Sequence, residues 1–192
     1  MVAVSNYHRM SPPEYLDWEA QQPLKYEYFK GEVVAMTGGT IPHNDLAVNL
    51  TTLLKNHLRG KGCKVQMADA KVEIAEAEAY HYPDVMVTCD ERDRRARMVI
   101  RYPCLIVEVL SPGTEAVDRG KKFQNYRQLE TLKEYALVSV EEMMIEVFRR
   151  NETGVWELYV YKEGDEVTWE SVGLSCPIEL IYEEVILGGF EE

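Results

Sequence analysis

Long hydrophobic runs are missing from this sequence. No stretch approaches the roughly 18 consecutive apolar residues of a membrane-spanning helix, and Met1 to Met10 hold no apolar core of a signal peptide. A membrane protein is therefore not expected, and a cytoplasmic location is. Cysteine is scarce and scattered: Cys63, Cys89, Cys104 and Cys176 form no C-x-x-C pair, so neither a zinc knuckle nor a redox dithiol is indicated. They are expected to be small buried core residues. Positive charge is short as well. With 21 Lys and Arg against 33 Asp and Glu, the formal net charge is -12, and the field of the whole molecule repels polyanions. That argues against a general nucleic-acid coat protein but leaves room for an enzyme with a local basic groove. There is no internal repeat or low-complexity tract, and Gly38-Gly39 lacks the lysine and spacing of a P-loop.

What is present is enough for one good core: 192 residues, 46% of them hydrophobic, predict a single domain spanning 1–192. Ser11-Pro12-Pro13-Glu14 reads as a capping box opening a short helix. Tyr26 to Met36 reads as an N-terminal hairpin turning at Lys30-Gly31. After the connection Thr37 to Pro42, apolar residues at helical spacing run from His43 until Arg59-Gly60, with His43 at the start of the buried face. Lys64 to Ile74 reads as a strand, Ala75 to Ala79 as a turn, and Asp84 to Cys89 as a short strand. Asp90 to Arg101 carries Arg92, Arg94, Arg95, Arg97 and Arg101. It is either a solvated loop that blunts a sheet edge or a loop that contacts phosphate.

Cys104 to Leu110 is nearly all apolar, as in a central strand covered on both faces. Alternation puts Glu108 on one face with Cys104, Ile106 and Leu110, so a charge points into a core layer. A helix capped by Thr114 is expected to run through about Leu132, with Asp118, Lys122, Tyr126 and Leu129 on one side. Beyond Lys133 the chain is strand-rich, at Tyr135 to Val140, Ile145 to Arg150, Val155 to Tyr161 and Val167 to Val172. This extension suits further sheet or a dimer surface. The acidic end Phe190-Glu191-Glu192 is expected to be loose.

Asp84 and Glu108 are the residues that ask for an explanation, because an ionised carboxylate is costly to desolvate without a cation or hydrogen bonds. Two acids at adjacent strand ends repel unless a cation lies between them. Magnesium fits, since it is usually held by one or two protein carboxylates plus waters and substrate phosphates. Lys122 would orient an attacking water or stabilise the charge that builds on phosphorus. Each residue also has a plainer role open to it. Asp84 can start a strand, Glu108 can meet a buried partner, Lys122 can snorkel, Asp118 can pair with Lys122, and His43 can be a satisfied core histidine.

As an ordered set, Tyr26-Glu27, Gly31-Glu32, His43, Tyr82-Pro83-Asp84-Val85, Ile106-Val107-Glu108-Val109-Leu110-Ser111-Pro112, Asp118 to Tyr126 and Glu134-Tyr135 resemble the Uma2 family, also called the domain of unknown function 820 family. That family is a branch of the PD-(D/E)XK restriction-endonuclease-like superfamily. The resemblance implies an α/β fold with a mixed sheet flanked by helices. It also implies a divalent metal on Asp84 and Glu108 with help from the Val109 carbonyl, and DNA or another nucleic acid as substrate. The superfamily's usual lysine position, two residues after the glutamate, is Leu110 here; in this branch the following helix supplies it, which points to Lys122. Glu27 and His43 match positions repeated in the branch and would complete the site, with Glu32 and Lys71 as weaker candidates. The expected protein is a magnesium-dependent endonuclease, with manganese as a substitute metal, working as a homodimer. The competing readings are a non-catalytic binding or assembly protein that keeps the fold, and a hydrolase of a smaller phosphoester.

Overall fold

The computed structural model describes residues 9–36 and 38–188. The expectation for Phe190-Glu191-Glu192 lies outside them, as does Thr37. Helix α1 (Pro12–Glu19) leads into the hairpin β1 (Tyr26–Phe29) and β2 (Glu32–Ala35), then the long helix α2 (Ile41–His57). Strands β3 (Lys64–Met67), β4 (Lys71–Ile74), β5 (Ala79–His81), β6 (Val85–Thr88), β7 (Val99–Ile100) and β8 (Leu105–Val109) follow. Two short helices, α3 (Glu115–Val117) and α4 (Phe123–Tyr126), are joined by a π turn over Asp118–Lys122. The chain finishes with β9 (Glu134–Val138), β10 (Met144–Arg150), β11 (Trp156–Lys162), β12 (Glu166–Trp169), β13 (Leu174–Pro177) and α5 (Ile178–Ile181).

The strands form two mixed sheets and a small hairpin. One sheet has six strands in the order β11-β10-β9-β8-β6-β3, with β8 and β9 parallel. The other has five, β2-β1-β5-β4-β7, with β4 and β7 parallel. The chain crosses from the second sheet to the first between His81 and Val85. Pro83, which cannot donate to a ladder, sits at that crossing. In β8 the alternating side chains divide between two cores. Leu105, Val107 and Val109 pack under α2 with Leu46, Leu50 and Leu54, while Ile106 joins Tyr126, Leu129 and Tyr135 on the opposite face. Each of these fully buried aliphatic side chains is worth about 1.5–3 kcal/mol. The α2 stripe therefore holds the helix against the sheet despite its polar outer face.

Several boundaries differ from expectation. The capping box is present, with the Glu14 carboxylate accepting the Ser11 N–H at 2.7 Å. The hairpin turns at Lys30 and Gly31, both left-handed (φ 46° and 91°). Lys64 to Ile74 is two strands in different sheets, because the chain turns at Ala68, whose N–H donates to the Asp84 carbonyl at 3.2 Å. The helix expected through Leu132 ends at Tyr126. Leu129 and Leu132, in the turns that follow, still enter the core with Tyr126 and Tyr135. Cys104 packs with the α2 core rather than on the face of Ile106. Strand β13 and helix α5 were not anticipated.

The cysteine expectation fails for two of the four. Cys104 and Cys176 are buried and free, whereas Cys63 and Cys89 form a disulfide. The register explains the pairing: Lys64 lies opposite Thr88, so the flanking residues 63 and 89 face each other with Cα atoms 4.1 Å apart. The bridge closes a loop across a sequence separation of 26, for which chain-entropy arguments give about 3 kcal/mol. Cys63→Ser is accordingly expected to lower the unfolding free energy by about that amount, measured as a shift in the urea midpoint. An unchanged midpoint under oxidising conditions would show that the bridge contributes nothing.

Candidate active site

The junction between the two sheets holds a cavity of about 100 Å³ lined by Glu27, His43, Asp84, Glu108, Asp118 and Lys122, among others. Five segments deliver these groups. Asp84 sits on the crossing that feeds β6, and Glu108 lies on the antiparallel neighbour β8, where Val85 pairs with Val107. The two acids meet there: the Asp84 N–H lies 3.4 Å from Glu108 Oε2, and the Val109 N–H donates to Asp84 Oδ2 at 2.7 Å. Glu27 arrives on β1, held by the Tyr82 N–H at 3.2 Å.

Lys122 comes from the π turn, a geometry often found at functional positions. Its Nζ lies 3.1 Å from Glu108 Oε1, 3.2 Å from Glu27 Oε1 and 3.1 Å from Asp118 Oδ1. Tyr126, one turn on, donates its hydroxyl to Glu108 Oε1 at 2.8 Å. The Tyr135 hydroxyl donates to the Asp118 carbonyl at 2.9 Å and fixes the turn from below. His43 reaches Asp84 from the first turn of α2, Nε2 to Oδ2 3.3 Å. Gly39 makes this possible, because a Cβ there would lie 2.9 Å from His43 Nδ1.

Burial sets the electrostatics. It pushes Glu108 well above the ordinary carboxylate range; Lys122 pulls the other way, and Asp118, Asp84 and Glu27 add to the rise. Burial would also raise Glu27, but Lys122, His81 and the Tyr82 N–H outweigh it and hold Glu27 at about 2. Burial would lower Lys122, yet Glu108, Glu27 and Asp118 hold it well above its ordinary value. Burial likewise opposes protonation of His43, and Asp84 overcomes it and raises the imidazole. The result is an excess of negative charge around one lysine.

That excess, and the donor set, suit a hard divalent cation. Among the described residues Glu108 Oε2 has only the long Asp84 N–H contact, and Asp84 Oδ1 takes none of the contacts above. Both belong to residues lining the cavity. Magnesium needs no more than one or two protein carboxylates beside waters and substrate oxygens. Among the described residues no group of three or more His, Cys, Asp and Glu is arranged to hold a metal ion, so a closed cage of such side chains is not available.

The structure brings Asp84, Glu108, Lys122, Glu27, His43 and Val109 to one cavity. The weaker candidates lie elsewhere. Glu32 is exposed, 4.0 Å from Lys121, and Lys71 is buried on Glu19 at 2.6 Å. Glu134 pairs with Arg149 at 2.9 Å and accepts the Glu170 and Ser171 N–H groups, which makes it a structural carboxylate. Sequence reasoning missed His81 and Asn125. His81 is buried with Nδ1 3.4 Å from Glu27 Oε2 and Nε2 3.0 Å from Asn125 Nδ2, so it orients Glu27 from behind. Its place three residues before Asp84 was the available signal.

The mixed α/β fold is shared with a solved structure that is described as a "putative nuclease". The chain superimposes on the crystal structure of a "putative nuclease belonging to DUF820" from Anabaena variabilis with a TM-score of 0.75, over 92% of this chain and 99% of that one. At 14% identity this is a likeness of fold. The family model for Uma2, described as "Putative restriction endonuclease", matches residues 12–179, and the chain belongs to that family. Two uncharacterized proteins of Synechocystis sp. are similar to it. One, slr1290, is 44% identical over 92% of this chain and 93% of its own length. The other, sll1609, is 35% identical over 72% and 79%.

Glu27 carries a pH signature. Its folded value, about 2, lies below the free value of 4.5, so its stabilisation is complete above 4.5 and is lost as the pH falls toward 2. Glu108, shifted upward, contributes with the opposite sign. Glu27→Gln is therefore expected to lower stability at neutral pH and to flatten the acid limb of the stability curve. Parallel acid limbs for wild type and variant in urea melts would remove Glu27 from the ion-pair cluster.

Proposed function

We propose that this chain is a metal-dependent endonuclease that hydrolyses phosphodiester bonds of nucleic acid, DNA in the first instance. One observation carries the reading: Asp84 and Glu108, from adjoining strands, open on one cavity with a buried amine on Glu108. Asp84, Glu108 and the Val109 carbonyl would hold magnesium, or manganese in its place. Such an ion acidifies a bound water and braces the leaving oxygen. Tyr126 and Lys122 fix the Glu108 carboxylate, and His43 and the Val109 N–H fix that of Asp84. Lys122 faces the same cavity and is placed to stabilise charge that develops on the phosphoryl oxygens. Glu27, held by His81, keeps the amine charged and aimed.

The rival reading, a binding or assembly protein that keeps the fold, has one observation in its favour: Lys122 is already engaged by three carboxylates, Glu27, Glu108 and Asp118. We further propose a homodimer, since β11 is an edge strand that exposes Leu158, Tyr159 and Val160. A cytoplasmic location fits a nucleic-acid substrate. Among the described residues no helix is long and apolar enough to cross a membrane. The Cys63–Cys89 bridge runs against a reducing compartment.

Asp84→Ala and Glu108→Ala are expected to abolish cleavage of a DNA duplex and to remove manganese binding by calorimetry, with circular dichroism unchanged. Manganese affinity that survives in both variants would sink the metal site and favour the rival. Lys122→Ala is expected to slow turnover about 10²–10³-fold while weakening manganese binding far less. Unchanged turnover would take the lysine out of the chemistry.

A further inference from the structure

The arginine-rich segment, Asp90 to Arg101, proves largely self-neutralised. Arg92 pairs with Asp90 at 2.7 Å, Arg94 with Glu91 at 3.4 Å and Arg101 with Glu73 at 2.5 Å. The basic surface that is left over lies beside it. Between Asp45 and Asp69 the sequence holds no carboxylate, although Asp and Glu outnumber Lys and Arg 33 to 21 in the chain; in that interval fall Lys55, Arg59, Lys61 and Lys64. Two adjoining grooves, about 540 and 420 Å³, run between the outer face of α2 and the open edge of β3, and share Thr51, Lys55, Val65 and Gln66. Lys55, Arg59 and Lys64 line the larger groove, and Lys55 and Arg97 the smaller.

Among the described residues no acid cancels these charges. Lys55, Arg59, Lys64 and Arg97 form no ion pair among the described residues; Arg59 meets only the Asn56 side chain, and Lys64 only the Arg94 carbonyl. The one carboxylate in the lining, Asp69, is taken by Lys25, and the remaining cation, Lys71, is taken by Glu19. The groove also has a fixed relation to the cavity. Thr51 lies eight residues beyond His43 on α2, or about 12 Å at 1.5 Å per residue. Lys55 lies about 6 Å further along the same helix, which ends at His57 two residues before Arg59.

We propose that this groove is the binding track for the phosphate backbone of a nucleic acid whose scissile phosphate sits in the cavity of Asp84 and Glu108. The inference rests on the nuclease reading and adds the path of the substrate. A strand advances about 3.4 Å along the duplex axis per phosphate. The helical part of the track, Thr51 to Lys55, thus covers about two phosphates and begins three to four nucleotides from the cleavage position. Such a track answers the difficulty set by the net charge of -12: it offers a face where Lys55, Arg59, Lys64 and Arg97 meet no carboxylate among the described residues, so a bound strand is steered toward the acids that cleave it.

The test uses the full chain and a fluorescein-labelled DNA duplex of about 20 base pairs, two helical turns. Binding is followed by anisotropy in EDTA across a salt series. The triple variant Lys55→Ala/Arg59→Ala/Lys64→Ala is expected to bind more weakly. Its plot of log affinity against log salt should be shallower by about three, roughly 0.9 per lost phosphate contact. Its manganese binding and circular dichroism should be those of wild type. Lys162→Ala, on the exposed edge strand β11, is expected to leave the slope unchanged. A triple variant with wild-type affinity and slope, or a Lys162→Ala slope that falls as far as one of the three, would overturn the track. The two readings fail separately. Wild-type protein that shows the groove-dependent slope but never cleaves sinks the nuclease and keeps the track; a triple variant that cleaves with unchanged KM sinks the track and keeps the nuclease.

Discussion

A carboxylate in the middle of a fully buried strand persists only if neighbouring elements bring positive charge and hydrogen bonds to it. For Glu108 that supply comes from Lys122 and Tyr126, on a π turn and the helix that follows. The arrangement then propagates. A buried lysine needs more than one counter-charge, which Glu27 and Asp118 provide, and Glu27 in turn is held by His81 and the Tyr82 N–H. The cluster thereby ties β1, the β5–β6 crossing, β8 and the π turn to one point. The two sheets are joined there by charge as well as by apolar packing. Remove the lysine and three acids face one another in a medium that solvates them poorly.

This explains why the site lies where the sheets diverge and not on either face. Inside a sheet each strand offers side chains to only two layers. At a crossing, residues of neighbouring strands turn toward a common gap, and backbone groups such as the Val109 N–H become available to hold them. Water can reach the gap, whereas the aliphatic layers under α2 exclude it. Glu108 is therefore anchored in dry core at its backbone and presented to the cavity at its carboxylate.

Much of this was legible in the residues because the relevant signals are local. A glutamate inside Leu105–Val109, a Pro-Asp pair before an apolar run and lysine and tyrosine at helical spacing from Asp118 all report chemistry at odds with their surroundings. What could not be read depends on register between distant segments. Cys63 and Cys89 are far apart in sequence and become partners only because Lys64 falls opposite Thr88. His81 reads as one polar residue in an aromatic strand until β1 is laid beside β5. The arginines of 90–101 leave a solvated loop and a phosphate-contacting loop both open, because their neutralising acids are either interleaved with them or, like Glu73, on another strand. The lysines of α2 and β3 look ordinary until the absence of acids around them in space is seen.

The π turn at Asp118–Lys122 has a consequence for how this fold diverges. It amounts to one residue more than a regular helix would use, and it is what stacks the acid and the amine of that segment against Glu108. Deleting a single residue there restores an ordinary α-helix and rotates the preceding turn by about 100°, while Tyr126, Leu129 and the core beneath them stay in place. Within a lineage, then, the meeting of amine and carboxylates can be gained or shed through a change of chain length in one helical turn, with every acidic position intact. Inspection of the carboxylates alone would not reveal the difference.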